Sequence, residues 1–433
     1  MKNIKIQILT VLFCILSMGM QSQNTLSLSQ AIEMGLQNNY DLKVTRNNEN
    51  IASINNNWGN TGALPTVSFS AGLSENLNYN DNEDYRTESL SPQVSLNWLL
   101  FDGFSARITK KRFEELENLS KGNTVILVEN TIQDIISAYN NCIVQQELVK
   151  VYDELMSLSE DRYNRELSGK EIGVSTTYES LLAKTSWLSD KSTYLQQKVS
   201  YENSIRTLNF ILGIKDNTMW QLTSEIKSDL PDYTLSDLSN KLISNNTTLK
   251  NQYINQTLLS KETALAKSNY LPTISLNGGV SQTNRNTYFS KTSANDTETN
   301  FSDVNVGLNI SYTIFNGGQR KRSVQIAKIE EESGLVEIDQ MKHSLQNQLM
   351  QIFSTYEVQK ELVVLANEQE EAAKLNMDMA EEKLKNGSID SFDFRAIQIN
   401  YLNAAIQKLN ATYNVIESQT ALTRITGGIV DEY

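Results

Sequence analysis

The chain has 433 residues, a formal net charge of −13 at pH 7 and a hydrophobic fraction of 39%. This acidic balance argues against a nucleic-acid partner, because phosphate binding needs a basic face. Only 4 prolines and 19 glycines interrupt the chain, and its low hydrophobic fraction is atypical of compact globules, so we expect long elements and an extended protein.

The first segment, residues 1–22, has the composition of a secretory signal peptide. Lys2 and Lys5 precede a short apolar core, Ile6–Met18, which is too short for a membrane-spanning helix. Its removal leaves Cys142 as the only cysteine, so no internal disulfide is expected. No later segment has eighteen consecutive apolar residues, so a membrane crossing would not use helices of the usual kind.

The rest of the chain is predicted to contain two tandem repeats. Leu64-Pro65-Thr66 recurs as Leu271-Pro272-Thr273, 207 positions later, and Phe101-Asp102-Gly103 corresponds to Phe315-Asn316-Gly317 at an offset of 214. The seven additional residues fall within one loop. Each repeat is predicted to run from a short helix through a strand, a variable loop and a second strand into a very long helix, a turn and another long helix.

The repeats are predicted at 23–215 and 233–429, joined by a linker at 216–232 and followed by a tail at 430–433. Each repeat contains two strands and one helical hairpin. The predicted strands are about 66–79, 92–101, 273–283 and 302–315, and the predicted hairpins are about 104–212 and 319–426.

The predicted strands alternate apolar and polar residues, which gives each strand one apolar and one polar face. The polar positions are Ser, Asn, Thr and Gly, almost without charge, which suits a water-filled lumen with lipid on the opposite face. A soluble sheet gives the same alternation, but the polar loops 80–91 and 284–300 favour a membrane sheet. The predicted lipid-facing side chains are Val67, Phe69, Val94, Leu96, Trp98, Ile274, Leu276, Val304, Val306, Leu308 and Ile310.

Four strands cannot close a barrel by themselves. Open sheet edges in hydrocarbon would leave backbone groups unpaired, at several kcal/mol each. Several chains must therefore share one barrel if these strands lie in lipid. Two chains would supply eight strands and three would supply twelve, and either number could close a barrel.

The long helices are predicted from stretches without proline. Between Ser105 and Leu167 the apolar side chains recur mostly every three or four residues, as in a coiled coil, and a helix of this length would span on the order of 100 Å. The stretch 319–385 is similar. A polar face of such helices suits the lining of a water-filled tube. His343 is the only histidine, and the sequence contains no pattern that indicates catalysis, a metal site or a cofactor.

This arrangement resembles the TolC family of outer-membrane efflux and secretion channels over nearly the whole mature chain. The resemblance rests on the duplication, on the Leu-Ser openings at Leu28 and Leu235, on the two Leu-Pro-Thr strand entries and on the two strand exits ending in Gly103 and Gly317. Each motif alone is weak, but their order and duplication are specific.

The resemblance implies a mostly α fold with a small transmembrane β part. It also implies a homotrimer, with twelve strands in one barrel in the outer membrane and a helical tunnel across the periplasm. The implied function is the exit duct of a tripartite efflux pump or a type I secretion system. The implied partners are outer-membrane lipid, a periplasmic adaptor and an inner-membrane transporter.

The resemblance also implies that the two helix-reversing turns are the periplasmic tips. The predicted adaptor contacts are Ile172, Gly173, Val174, Ser175, Asn386, Gly387, Ser388 and Ile389. Six residues after each turn glycine stands an acid, Glu179 or Asp393, and these form the predicted acidic ring at the entrance. Ile389 occupies the position of an arginine that helps to lock the gate in some family members, so that lock is not expected here.

The alternative interpretation is a periplasmic coiled-coil adaptor or scaffold that forms no channel. An adaptor would carry one helical hairpin surrounded by β-rich domains, rather than two equal repeats with a strand pair in each. A soluble scaffold would need no lipid-facing strands.

Overall fold

A computed structural model of the chain describes residues 25–79, 81, 84–215, 218–223, 230–290 and 293–432. The predicted signal peptide, 1–22, lies outside the described residues, and so do 216–217 and 224–229 of the predicted linker.

The fold is mostly helical, with a small proportion of strands. None of the described helices contains an apolar stretch long enough to cross a membrane. In chain order the elements are β1 (Thr25–Leu26), α1 (Leu28–Asn38), α2 (Tyr40–Asn55), β2 (Thr66–Asn78), β3 (Tyr85–Phe101), α3 (Ser105–Glu171), α4 (Thr177–Ile211), β4 (Gln221–Leu222), α5 (Leu235–Asn245), α6 (Thr247–Ser268), β5 (Thr273–Phe289), β6 (Thr297–Ser311), α7 (Gln319–Lys385), α8 (Ser391–Ile425) and α9 (Ile429–Glu432).

Three strands differ from their predicted bounds. β3 begins at Tyr85 rather than near 92, β5 continues to Phe289 rather than 283, and β6 spans Thr297–Ser311 rather than 302–315. Much of the two predicted polar loops is therefore sheet. Apart from a few side chains such as Leu90, Phe289 and Phe301, these added residues are polar and lack the apolar alternation, and antiparallel backbone pairing holds them in the sheet.

One unit of the molecule contains the described residues up to Thr45, those of Val125–Thr247 and those from Lys342 onward. In this unit β1 pairs in parallel with β4, and the hydroxyl of buried Tyr139 donates to the carbonyl oxygen of Leu26 over 2.8 Å. The core of this unit consists of Leu26, Ala31, Ile32, Ile132, Ile135, Ile136, Tyr139, Cys142, Ile143, Ile205, Leu208, Leu212 and Ile429. Residues 430–432 of the expected C-terminal tail belong to the helix α9, whose first residue, Ile429, is buried in this core.

The duplication is visible in matching contacts of this unit. The side-chain amide of Asn39 donates to the carbonyl oxygen of Ile211 at 3.1 Å, and that of Asn246 donates to the carbonyl oxygen of Ile425 at 2.9 Å. Each asparagine follows the first short helix of its repeat, and each carbonyl belongs to the last turn of that repeat's second long helix. The two repeats therefore tie their first and last helices together in the same way.

The other unit contains Arg46–Thr124 and Thr248–Met341. Its sheet has the strand order β2-β3-β5-β6, with antiparallel pairing throughout. Polar contacts join its helical segments: Arg112 of α3 forms an ion pair with Glu262 of α6 at 2.5 Å, and the hydroxyl of Thr263 donates to the carbonyl oxygen of Ala327 in α7 at 3.1 Å.

Candidate functional site

The register of the four-stranded sheet brings all the predicted lipid-facing side chains to one face. Directly paired residues of antiparallel strands project to the same side. Val67 pairs with Leu96, Leu96 with Gly278 and Gly278 with Val306, and the neighbouring pairs continue this pattern. Val306 is 79% exposed, so this apolar face is uncovered in the single chain. The sequence therefore located one continuous apolar surface across strands of both repeats.

The opposite face of the sheet is polar. Its positions are mainly Ser, Thr, Asn, Gln and Gly, and the hydroxyls of Ser68 and Ser95 hydrogen-bond across β2 and β3 at 2.8 Å. The two faces differ in chemistry although they belong to the same strands. Such a sheet is suited to separate an apolar medium from water.

The sheet has two free edges. β2 and β6 are the outer strands, and every residue in both is exposed. Each edge strand leaves a row of backbone N–H and C=O groups without a partner from the described strands of this chain. Each edge strand can therefore pair with a further strand.

The first helix-reversing turn lies between α3 and α4. Gly173 has a positive φ of 81°, a conformation that glycine adopts without strain. The N–H groups of Val174 and Ser175 both donate to the carbonyl oxygen of Gly169, at 2.8 and 3.1 Å, which satisfies the end of α3. Ile172 and Val174 are 78% and 80% exposed, so the turn presents an apolar tip.

The second turn lies between α7 and α8 and is built in the same way. Gly387 has a φ of 69°, and the N–H of Ser388 donates to the carbonyl oxygen of Lys383 at 2.8 Å. Asn386, Gly387 and Ser388 are exposed. Ile389 is half-buried and packs against a small cluster formed by Met377, Ala380 and Phe394. Of the residues predicted as tip contacts in this turn, Ile389 is thus the one engaged inside its own hairpin.

The two acids predicted for the entrance have different surroundings. The carboxylate of Glu179 accepts from the N–H of Thr176 at 2.7 Å and from the hydroxyl of Thr176 at 2.8 Å, closing a capping box at the start of α4. These hydrogen bonds, that of the N–H first, lower the pKa of Glu179. Asp393 is exposed at the start of α8, where its own N–H donates to the carboxylate of the capping residue Asp390 at 2.7 Å.

A buried ion cluster near the turns was not predicted from the sequence. The guanidinium of Arg395 donates two hydrogen bonds to the carboxylate of Asp190, each 2.6 Å long, and the hydroxyl of Ser159 donates to the same carboxylate. Arg162 is only 3% exposed and donates to the carbonyl oxygen of Ser391 at 3.1 Å. Burial, reinforced by repulsion from Arg395, lowers the pKa of Arg162. The cluster joins α3, α4 and α8.

A sequence signal for this cluster existed in α3. Leu155 and Leu158 continue the apolar spacing of the helix, and the next position in that spacing, four residues later, is Arg162. A charged residue at a position that should be buried indicates an internal partner of opposite charge. The partner itself could not be predicted, because Asp190 lies on a different helix.

A cavity of about 660 Å³ lies beside this cluster. Arg162 and Arg395 line its inner side, while Tyr178, Leu182 and Phe392 supply apolar walls. Tyr178 and Phe392 are 74% and 72% exposed, so the cavity opens next to both turns.

A family model described as outer membrane efflux protein matches residues 31–214 and 238–428 of the chain. The chain belongs to the outer membrane efflux protein family. The two matched segments correspond to the two repeats. A search among curated proteins found no match.

Several solved structures of outer-membrane channels share the fold. The outer-membrane channel OprN is 17% identical and has a TM-score of 0.73, with 93% of this chain and 90% of that chain covered. CmeC of Campylobacter jejuni is 18% identical with a TM-score of 0.75, covering 93% of this chain and 85% of that one. The open state of MtrE from Neisseria gonorrhoeae is 16% identical with a TM-score of 0.74, covering 93% and 89%.

These findings confirm the predicted TolC-like fold and channel function. As a member of the outer membrane efflux protein family, the chain is an outer-membrane efflux channel protein, and the outer membrane is its location. The alternative of a coiled-coil adaptor or scaffold is not favoured. The family is one of transport ducts rather than enzymes.

Proposed function

We propose that three copies of this chain form the exit duct of a tripartite export system. Each copy contributes four strands to one twelve-stranded barrel in the outer membrane, with β2 of one copy pairing with β6 of the next. The long helices continue the duct through the periplasm. A periplasmic adaptor meets the helix-reversing turns and connects the duct to an inner-membrane transporter.

The observation that carries this proposal is the uncovered apolar face of a sheet with two free edges. An unpaired backbone polar group costs several kcal/mol in hydrocarbon, so four strands with free edges are excluded from lipid as a monomer. Pairing β2 with β6 of another copy removes both edges when the ring closes. The number three is taken from the family resemblance.

The two turns suit a docking role by their exposure. Ile172 and Val174 form an apolar tip on the first turn, and Asn386 and Ser388 give the second turn a small polar surface. A helical hairpin of a partner can approach such a surface closely. Ser388→Trp is therefore expected to abolish export in cells while the assembled protein still reaches the outer membrane. Normal export by this variant would contradict the docking role.

We further propose that Asp393 forms an acidic ring at the periplasmic entrance. Three exposed carboxylates brought near a common axis attract cations. Asp393→Asn is expected to leave assembly unchanged and to weaken the block of single-channel current by added divalent cations. Glu179→Gln is the matched control, since the carboxylate of Glu179 is engaged in its own helix cap. An unchanged cation block in the Asp393→Asn channel would contradict the ring.

The barrel is tested by a pair of neighbouring substitutions in β6. Leu308→Arg places a charge on the apolar face and is expected to cost roughly 2–4 kcal/mol per copy near the middle of the bilayer. Asn309→Arg places the same charge on the polar face and should be tolerated. Mass measurement in mild detergent should give a trimer for the wild type and for Asn309→Arg, and loss of the trimer for Leu308→Arg. A stable monomer in the wild type, or equal effects of the two substitutions, would contradict the proposal.

A further inference from the structure

The polar face of the four-stranded sheet carries only two charged residues within the described strands. They are Arg285 in β5 and Asp303 in β6. The other positions of this face in the described strands are uncharged, and most of them are Ser, Thr, Asn, Gln or Gly.

These two charges do not neutralise each other. Asp303 pairs across the ladder with Ser281, whereas Arg285 lies four residues farther along β5, about 13 Å along the strand. Both side chains are exposed, and no oppositely charged group in the described part of the chain lies within 4 Å of either. Each therefore presents a full charge to whatever medium fills this side of the sheet.

Charges on the other face of the sheet behave differently. Arg86 forms ion pairs with Glu88 at 2.8 Å and with Glu75 at 3.5 Å, so these opposite charges offset one another locally. Glu298 also belongs to that face, since its ladder partner is Asn286 and it lies an odd number of residues from Asp303. On that face Arg86 is thus paired with two acids, whereas the acid and the base of the polar face form no ion pair within the described residues.

The two charges also lie at different heights of the sheet. β5 leaves the helices at Thr273 and ends at Phe289, beside the β5–β6 connection. Arg285 is close to that distal end, opposite Thr299, and Asp303 lies closer to the helices, with Phe301 between them on the same face. A solute moving along this face from the helical end would meet the carboxylate first, then the aromatic ring, then the guanidinium.

We propose that Asp303 and Arg285 are the residues that set ion selectivity in the barrel, as an acidic ring followed by a basic ring towards the exit. This inference rests on the proposed trimeric channel, in which each residue occurs three times around the lumen. Rings of charged side chains select ions in a pore, because low-dielectric walls concentrate their field on the permeating solute. Rings of opposite sign in series partly offset each other, so the wild-type barrel discriminates weakly between small cations and anions.

Removing either ring should shift the permeability ratio, and the two shifts should have opposite directions. Asp303→Asn leaves the basic ring alone and should shift the ratio of cation to anion permeability towards anions by at least about twofold. Arg285→Gln leaves the acidic ring alone and should shift the same ratio towards cations by a similar factor. The double variant should return close to the wild-type ratio, because both rings are gone.

The test is the reversal potential of the full-length channel in a planar bilayer under a KCl gradient. All measurements use an Asp393→Asn background, so that the proposed entrance acid does not contribute. Glu298→Gln removes a carboxylate from the same strand but the opposite face, and Arg86→Gln removes a guanidinium from that face. Neither control should change the permeability ratio.

The outcomes separate this inference from the channel itself. If the wild type forms no conducting channel, the proposed function fails. If channels form and neither Asp303→Asn nor Arg285→Gln changes the ratio, the rings are wrong while the channel stands. If the Glu298→Gln and Arg86→Gln controls shifted the permeability ratio as much as Asp303→Asn and Arg285→Gln, selectivity would not depend on the polar face. That result would also overturn the inference.

Discussion

The two helix-reversing turns have the same spacing of glycine, cap and acid, but the two acids differ in their hydrogen bonds. In both, a capping residue follows the positive-φ glycine by three positions and an acid follows it by six. In the first turn the cap is Thr176, a neutral side chain, and the carboxylate of Glu179 returns to it. In the second turn the cap is Asp390, and its carboxylate accepts from the N–H groups of Phe392 and Asp393. The side chain of Asp390 has no hydroxyl to donate to a second carboxylate, and Asp393 is exposed to solvent.

The turns also differ in how the following helix is anchored. The first residue of α8, Ser391, accepts a hydrogen bond from buried Arg162, and Arg395 one turn later binds Asp190. The second turn is thus tied to the first hairpin through buried charges, while its own acid, Asp393, forms no ion pair with the described part of the chain. The carboxylate of Glu179 thus stabilises the start of its own helix, whereas Asp393 is exposed to solvent.

The largest expected effect comes from breaking this anchor. Asp190→Ala removes the carboxylate that binds Arg395 and lies beside Arg162, and removing one partner of a buried ion pair costs about 3–5 kcal/mol. Denaturant unfolding of the purified protein in detergent measures this loss. The matched control is Glu202→Ala in the same helix, since Glu202 pairs with Arg206 on the surface at 3.1 Å. An exposed pair of this kind contributes at most about 1 kcal/mol. Equal losses in the two variants would contradict the anchor.

A smaller effect is expected at the turn glycines. A Cβ at Gly173 or Gly387 would meet no atom within 4 Å, so substitution by alanine introduces backbone strain without a clash. Left-handed backbone costs a non-glycine residue about 1–2 kcal/mol. Gly173→Ala and Gly387→Ala should therefore destabilise their hairpins by similar amounts, as measured by hydrogen exchange of the turn amides. If one variant lost much more hairpin stability than the other, the two turns would differ in conformation as well as in charge.

The sequence predicted the plan of these turns but not their difference. Glycine spacing and the duplication located both turns and both acids, because backbone geometry follows local sequence. Whether each carboxylate joins a helix cap depends on the capping residue three positions earlier, which is Thr176 in the first turn and Asp390 in the second. The sequence-based prediction treated both acids alike because it considered only their positions. The Asp190–Arg395 pair joins residues 205 positions apart, and no local pattern indicates such a contact. The sheet also could be predicted only in part. Strand alternation identified its apolar face, but the polar ends of the strands have no such alternation and are recognised only by their backbone pairing.

The smallest expected effect is a pH dependence confined to the first turn. Hydrogen bonds from the N–H and the hydroxyl of Thr176 lower the pKa of Glu179, although desolvation and then the charge of Asp390 oppose them. A carboxyl whose pKa is lower in the folded state stabilises the fold above its unfolded pKa, about 4.3, and loses that contribution as the pH falls through the folded value. Protection of the first amides of α4 should therefore decline as the pH falls below about 4.3.

Hydrogen exchange at residues 177–180, corrected for the intrinsic pH dependence of exchange, measures this decline. In Glu179→Gln the side-chain oxygen can still accept from Thr176, but it carries no titratable charge. The cap should then persist and the pH step should disappear. Asp393→Asn is the complementary variant, because its carboxylate makes no capping contact, and it should retain the wild-type step at α4. A step that survived in Glu179→Gln, or vanished in Asp393→Asn, would show that the two acids do not divide their roles as the turns indicate.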